Sequence, residues 1–226
     1  PLRWRQCKSI FRVGLGVRVM FVHQHQLEYL LESADYVSEE RRQAEIQHLF
    51  MPAWHLGCTR SELPKDGDFV TFDLLGRPLQ LRRHEGRFYA FENLCPHRHC
   101  VLTSAPRGNS PIIRCQYHGW EFQPEGETSR IPDARCFRPW DRENAHLNTY
   151  RVETCGDLIF VTLSDDAPPL REFLSPYVET IETYFTTPHW QLKDIWEYDC
   201  PANWKVPTEN TLETYHIPCL HPKSFN

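Results

Sequence analysis

Two short boxes carry the residue types that bind redox metals. The first is Cys95-Pro96-His97-Arg98-His99-Cys100 and the second is Cys115-Gln116-Tyr117-His118-Gly119-Trp120. Reduced to soft and borderline ligands, they read Cys-x-His and then Cys-x-x-His. Each box offers one thiolate and one imidazole from a tight loop beside a strand. A two-iron cluster needs that set when two cysteines hold one iron and two histidines the other. Exchanging two thiolates for neutral imidazoles removes negative charge, which makes the reduced state easier to reach. Zinc also accepts two Cys and two His, but finger-type sites pair Cys with Cys and His with His, whereas both boxes mix the types.

A third constellation lies near the end of the chain, from Asn203-Trp204-Lys205 to His221. On a helix running from Pro207 to His216, Glu209, Glu213 and His216 fall at i, i+4 and i+7 and share one face. Pro218 is expected to end that helix and let His221 curl back toward His216. Two imidazoles and one carboxylate on one side of an iron form the facial triad of non-haem Fe(II) oxygenases. Alone, a Glu/His helix face is more often simply solvated.

The boxes, and with them residues 50–165, resemble the Rieske [2Fe–2S] domain. That resemblance implies Cys95 and Cys115 on the inner iron, with His97 and His118 on the outer, redox-active iron. Rieske proteins of respiratory cytochrome complexes add a disulfide between the loops. Cys100 fits one of its positions but Tyr117 occupies the other, which favours the oxygenase or ferredoxin subtype. His99 stands where oxygenases usually have Gly and is read as an exposed loop imidazole.

Residues 203–221 resemble the Asn-Trp-Lys…Glu-Asn-x-x-(Asp/Glu)-x-Tyr-His-x₄-His stretch of Rieske non-haem iron oxygenase α subunits. The resemblance implies that His216 and His221 bind a mononuclear Fe(II). It implies that Glu213 bridges by hydrogen bonds to a Rieske histidine of a neighbouring subunit. The third iron ligand of the family is an Asp far downstream, absent from this sequence, and Glu209 is a weak substitute. Glu in place of Asp at 213 leans toward the branch acting on carnitine, choline or betaine. By resemblance, electrons come from NAD(P)H through a reductase or ferredoxin, and O2 hydroxylates a small aromatic or quaternary-ammonium substrate. The implied assembly is a homotrimer or α3β3. The alternative is a Rieske ferredoxin-like electron carrier, which would not need His216 or His221.

The elements that position these residues follow from periodicity and punctuation. Residues 35–50 read as a helix with Ser38 as N-cap and Ile46, Leu49 and Phe50 as its apolar face. Gly67 to Leu74, Arg77 to Arg83 and Arg87 to Phe91 read as a meander of strands, with turns at Gly76-Arg77-Pro78 and Glu85-Gly86. Further strands fall within 111–122 and 157–163. Asp165 to Pro169 reads as a linker, Pro176 to Tyr184 as a helix and His189 to Tyr198 as a strand. The expected fold is α+β: an all-β Rieske domain over 51–165, then the first part of a helix-grip-type catalytic domain over 166–226. Residues 1–34 stand apart as an extension.

Composition bounds the rest. The chain has 226 residues, 9 Cys and a formal charge of −5. Residues 1–27 hold five basic residues and no acid, so residues 28–226 sum to −10. That basic start mimics a signal or transit peptide, yet Arg18 interrupts the apolar stretch and no small-residue cleavage site follows. Met20 is therefore read as the start. A mildly acidic chain is a poor nucleic-acid binder, and no long uncharged apolar run spans a membrane; the expected location is the cytoplasm. Cys7, Cys58, Cys136, Cys155, Cys200 and Cys219 have no ligand spacing and read as core fillers.

Overall fold

The computed structural model describes residues 31–136, 145–187, 192–196 and 198–223. The basic start, Met20 and Cys7 lie outside the described residues.

The helix expected over 35–50 is broken by its own cap. Ser33–Val37 (α1) ends at Ser38, whose extended backbone and side-chain oxygen, accepting from the Arg41 N–H, start a second helix, Glu39–Glu45 (α2). Ser38 is thus the N-cap as expected, because a short hydroxyl satisfies one orphan amide of the first turn. The chain then widens to a π-helical turn, Ile46–Phe50. Ile46 and Phe50 are half-buried but Leu49 is exposed, so the apolar face is narrower than its spacing promised.

Among the described residues ten strands follow: Trp54–Thr59 (β1), Asp68–Leu74 (β2), Arg77–His84 (β3), Arg87–Glu92 (β4), Arg107–Asn109 (β5), Ile113–Arg114 (β6), Glu121–Phe122 (β7), Thr128–Arg130 (β8), Thr149–Cys155 (β9) and Leu158–Thr162 (β10). Seven form an antiparallel sheet in the order β1-β10-β9-β4-β3-β2-β5, and β6-β7-β8 form a smaller one. The expected meander is present as β2-β3-β4. Its turns are the two-residue pairs Leu75-Gly76 and Glu85-Gly86, all four residues having positive φ (54°, 81°, 48° and 74°). Such turns match the right-handed twist of the strands they join. The first turn therefore sits one residue earlier than expected, and Arg77 and Pro78 pair with Leu74 and Asp73 inside the sheet.

The core splits about the sheet. Leu63, Leu79, Leu81, Phe91, Ile159 and Val161 are wholly buried. Phe91 joins Cys95, Cys115, Trp120 and Phe122 in a cluster under the two metal-type boxes. At the other end, two short helices, Leu170–Phe173 (α3) and Val178–Tyr184 (α4), press Leu170 and Val178 against Trp54, Cys155 and Phe160. The segment read as a linker has no regular structure but is packed: Ala167 is buried and Trp54 Nε1 donates to Pro168 O at 2.8 Å.

Gly156 ties this edge together. It has φ +58° and an added Cβ would lie 2.6 Å from Phe185 O, the atom that accepts the Asp157 N–H. Gly156→Ala combines a left-handed backbone with a backbone clash. It is expected to cost about 1–3 kcal/mol of unfolding free energy in chemical denaturation.

Beyond α4 the described residues contain no strand. Residues 192–196, within the stretch expected as a strand, are irregular, and 188–191 and 197 lie outside the described residues. A strand needs a partner for its backbone groups, and here Trp196 stands 89% exposed. Two helices close the chain, Lys205–Leu212 (α5) and Ile217–Leu220 (α6). No helix among the described residues is long and apolar enough to cross a membrane.

Candidate metal centres

The two boxes fold into loops of the same design. Cys95 N–H donates to Cys100 O and His99 N–H to Cys95 O, both at 2.8 Å. In the second loop Cys115 N–H donates to Trp120 O at 2.8 Å and Gly119 N–H to Cys115 O at 3.0 Å. The fifth residue of each loop is left-handed, His99 at φ 52° and Gly119 at φ 71°. That shared turn explains why Gly suits position 99, and His is among the residues that tolerate the conformation. His99 is exposed, as expected of a loop imidazole.

The loops converge with their soft donors inward. Cys95 and Cys115 are 1% and 2% exposed, while His97 is half-buried and His118 exposed. The two imidazole rings lie 4.6 Å apart between centroids. His97 also stacks on buried Trp120 at 4.9 Å with an interplanar angle of 4°. Burial pushes the His97 imidazole below its usual range, and the neighbouring His118 and Arg98 act the same way, so it is the neutral form that metals bind. Burial pushes the Cys95 thiol up to about 11, against the pull of the His97 backbone N–H. A bound metal cation would offset that burial, since the thiolate and not the thiol is the ligand.

This donor set fits a [2Fe–2S] cluster with thiolates on the inner side and imidazoles on the outer. A two-iron cluster asks for two protein ligands per iron, whereas a tetrahedral zinc site asks for four at one point. Cys100 is a free thiol donating to Val101 O at 3.5 Å, and Tyr117 is 60% exposed, so the inter-loop disulfide of the respiratory subtype is absent. Of the cysteines read as core fillers, Cys58 and Cys155 are buried, but Cys136, Cys200 and Cys219 are exposed.

The third constellation meets by a different route from the one expected. Helix α5 stops at Leu212, and Glu213 is extended (φ −106°, ψ 146°), so Glu209, Glu213 and His216 do not share a helix face. The Glu213 carboxylate instead caps the next turn. Its Oε2 accepts from the Tyr215 and His216 N–H groups at 2.6 and 3.2 Å, and its Oε1 accepts from His216 Nδ1. These bonds, the imidazole's first, hold the Glu213 carboxyl below the usual range, so it is ionised at neutral pH. Pro218 begins α6 rather than ending a helix, because its fixed φ suits a first turn. That short helix brings the His216 and His221 rings to 5.5 Å. With Nδ1 of His216 engaged, its Nε2 is left as the ligating nitrogen. Glu209 is not a ligand candidate, since its carboxylate accepts from Tyr36 Oη at 2.6 Å.

Asn203-Trp204-Lys205 has a task that linear reading missed. Asn203 Nδ2 donates to Tyr36 O at 3.0 Å, Trp204 Nε1 donates to Glu45 Oε2 at 2.8 Å, and Lys205 Nζ pairs with Glu45. The Phe50 ring meets the Trp204 ring edge-on at 5.3 Å. The motif thus anchors the approach to His216 on α1, α2 and the π-helical turn.

Two family models match stretches of the chain. Residues 53–151 match the Rieske [2Fe-2S] domain, and residues 189–226 match the ring hydroxylating alpha subunit catalytic domain. The chain is 29% identical over 192 residues to the 2-aminobenzenesulfonate 2,3-dioxygenase subunit alpha of an Alcaligenes species, covering 83% of this chain and 49% of that one. It is 27% identical over 193 residues to the carnitine monooxygenase oxygenase subunit of Acinetobacter pittii, covering 83% and 51%. Among solved structures, a quaternary ammonium Rieske monooxygenase in complex with L-carnitine superposes with a TM-score of 0.78 at 26% identity, over 84% of this chain and 54% of that one. A naphthalene 1,2-dioxygenase bound to phenanthrene gives 0.72 at 29% identity, over 81% and 43%. The chain spans about half the length of these curated relatives.

Proposed function

We infer, from a chain that carries a Rieske [2Fe-2S] domain followed by the opening of a ring-hydroxylating α-subunit catalytic domain, that the protein serves as the oxygenase component of a Rieske non-haem iron system. The observation that carries this reading is the pair of like-folded loops, each giving one buried thiol and one imidazole, His97 half-buried and His118 exposed. Cys95 and Cys115 would hold the inner iron, His97 and His118 the outer, and His216 and His221 a mononuclear Fe(II). When bound, the cluster supplies one-electron transfer and the mononuclear iron supplies O2 activation for hydroxylation of an organic substrate.

The chain's own residues prepare that chemistry. The buried Cys side keeps water from the sulfurs, while exposed His118 and Tyr117 leave the imidazole edge within reach of a donor. Trp120 fixes the His97 ring plane by stacking. Glu213 accepts a hydrogen bond from His216 Nδ1–H, which sets the tautomer and raises the basicity of Nε2. A reductase or ferredoxin drawing on NAD(P)H is the fitting electron source. A homotrimer or α3β3 assembly would place Glu213 of one subunit beside the outer imidazoles of the next, and the cytoplasm supplies such donors. The substrate class is aromatic or quaternary-ammonium, with Glu at 213 and the likeness to a carnitine monooxygenase favouring the latter.

A ferredoxin-like carrier without oxygenase chemistry is not favoured, because it has no use for the match over 189–226 or for the His216–His221 approach. Isotope-labelled O2 separates the two. His216→Ala should keep the cluster spectrum and abolish label incorporation into substrate; incorporation at the wild-type level would sink the oxygenase reading.

A further inference from the structure

We propose that the cavity between β2, β3, β5 and residues 110–114 binds a small organic carboxylate, with Arg82 as its buried cation. The cavity measures about 300 Å³ and lies at the foot of the second loop, Arg114 preceding Cys115. The proposal stands apart from the metal sites, because none of their residues lines it.

Strand alternation puts Leu79 and Leu81 on one face of β3 and Gln80 and Arg82 on the other, yet all four are buried, Arg82 to 1% exposure. Arg82 Nη2 donates to Ser110 O, and Nη1 reaches Gln80 Oε1 only at 3.5 Å. Its Nε has no acceptor at all. Arginine is rarely this buried unless paired with a carboxylate. Among the described residues Arg82 has no ion-pair partner, and no Asp or Glu lines the cavity. Arg82 also lines an adjoining smaller pocket with Glu121, whose carboxylate is already held by Arg114 and Arg130 at 2.6 and 3.2 Å.

A guanidinium does not shed its proton to escape such a site. Burial works against its charge here, and the remaining relief is an anion brought in from solution. Its planar fork suits a carboxylate. Arg107 at the rim adds positive field, while Phe69, Leu102 and Ile113 supply apolar wall for an organic body. That wall favours an organic acid over a bare inorganic anion.

Calorimetric titration with benzoate, inorganic phosphate and chloride at matched ionic strength tests this. Benzoate should bind saturably, one per chain, with phosphate and chloride far weaker. Arg82→Gln should weaken benzoate binding by about 10–100-fold. Arg107→Ala, at the exposed rim, should weaken it by about 3-fold without lowering the melting temperature, and this arm stands even where the Arg82 variant fails to fold. Binding of phosphate but not benzoate, or benzoate binding that neither substitution alters, would overturn the proposal.

Discussion

Replacing Cys95 by Ser is expected to bleach the protein. Cys95 is 1% exposed, sits in the core with Cys115, Trp120 and Phe122, and supplies one of the two thiols on the inner side. A serine hydroxyl is a hard and poorly acidic donor there, so the inner iron loses half of its protein ligands. Iron and sulfide content, the visible bands and the EPR signal of the reduced protein should all fall to background. The loop should persist, since its hydrogen bonds come from the backbone of Cys95 and Cys100. A C95S protein that keeps an unchanged Rieske spectrum would refute the assignment of the first box.

Glu213→Gln should leave both metal sites loaded yet reduce turnover by about 100-fold. The glutamine can still accept one hydrogen bond from the His216 ring or from the amides of Tyr215 and His216, so the turn into α6 should survive. It loses the negative charge that the ring and both amides now share. The second carboxylate function proposed for Glu213, contact with an outer imidazole of the neighbouring subunit, is lost with that charge. Comparing iron content, reduction rate of the cluster and product formation separates the outcomes. Normal turnover in E213Q would remove the bridging role from the account.

The contrast between these two residues shows which parts of the molecule a linear reading reaches. The Cys/His boxes were legible because ligand spacing within a six-residue loop is local, and the loops close on their own backbone bonds. Ser38 and the Glu85-Gly86 turn were legible for the same reason, each satisfying its backbone within a few residues. Glu213 was misplaced on a helix face because periodicity ignores side-chain competition. Its carboxylate caps the following amides, which costs α5 its last turn, and Pro218 then suits the start of a new helix rather than a stop. The Glu209–Tyr36 and Lys205–Glu45 pairs join residues 173 and 160 positions apart, so no window along the chain shows them. Arg82 reads in sequence as an ordinary outward residue of an alternating strand; only the segment 105–114 folding over that face buries it.

The central claim is a two-iron cluster held by mixed ligands, and iron, zinc and acid-labile sulfide measured together on anaerobically purified protein test it most directly. The loops predict equal iron and sulfide from the cluster, two of each per chain, with EPR of the reduced form showing a single electron localised on one of two unlike irons. One zinc per chain with no sulfide would contradict it.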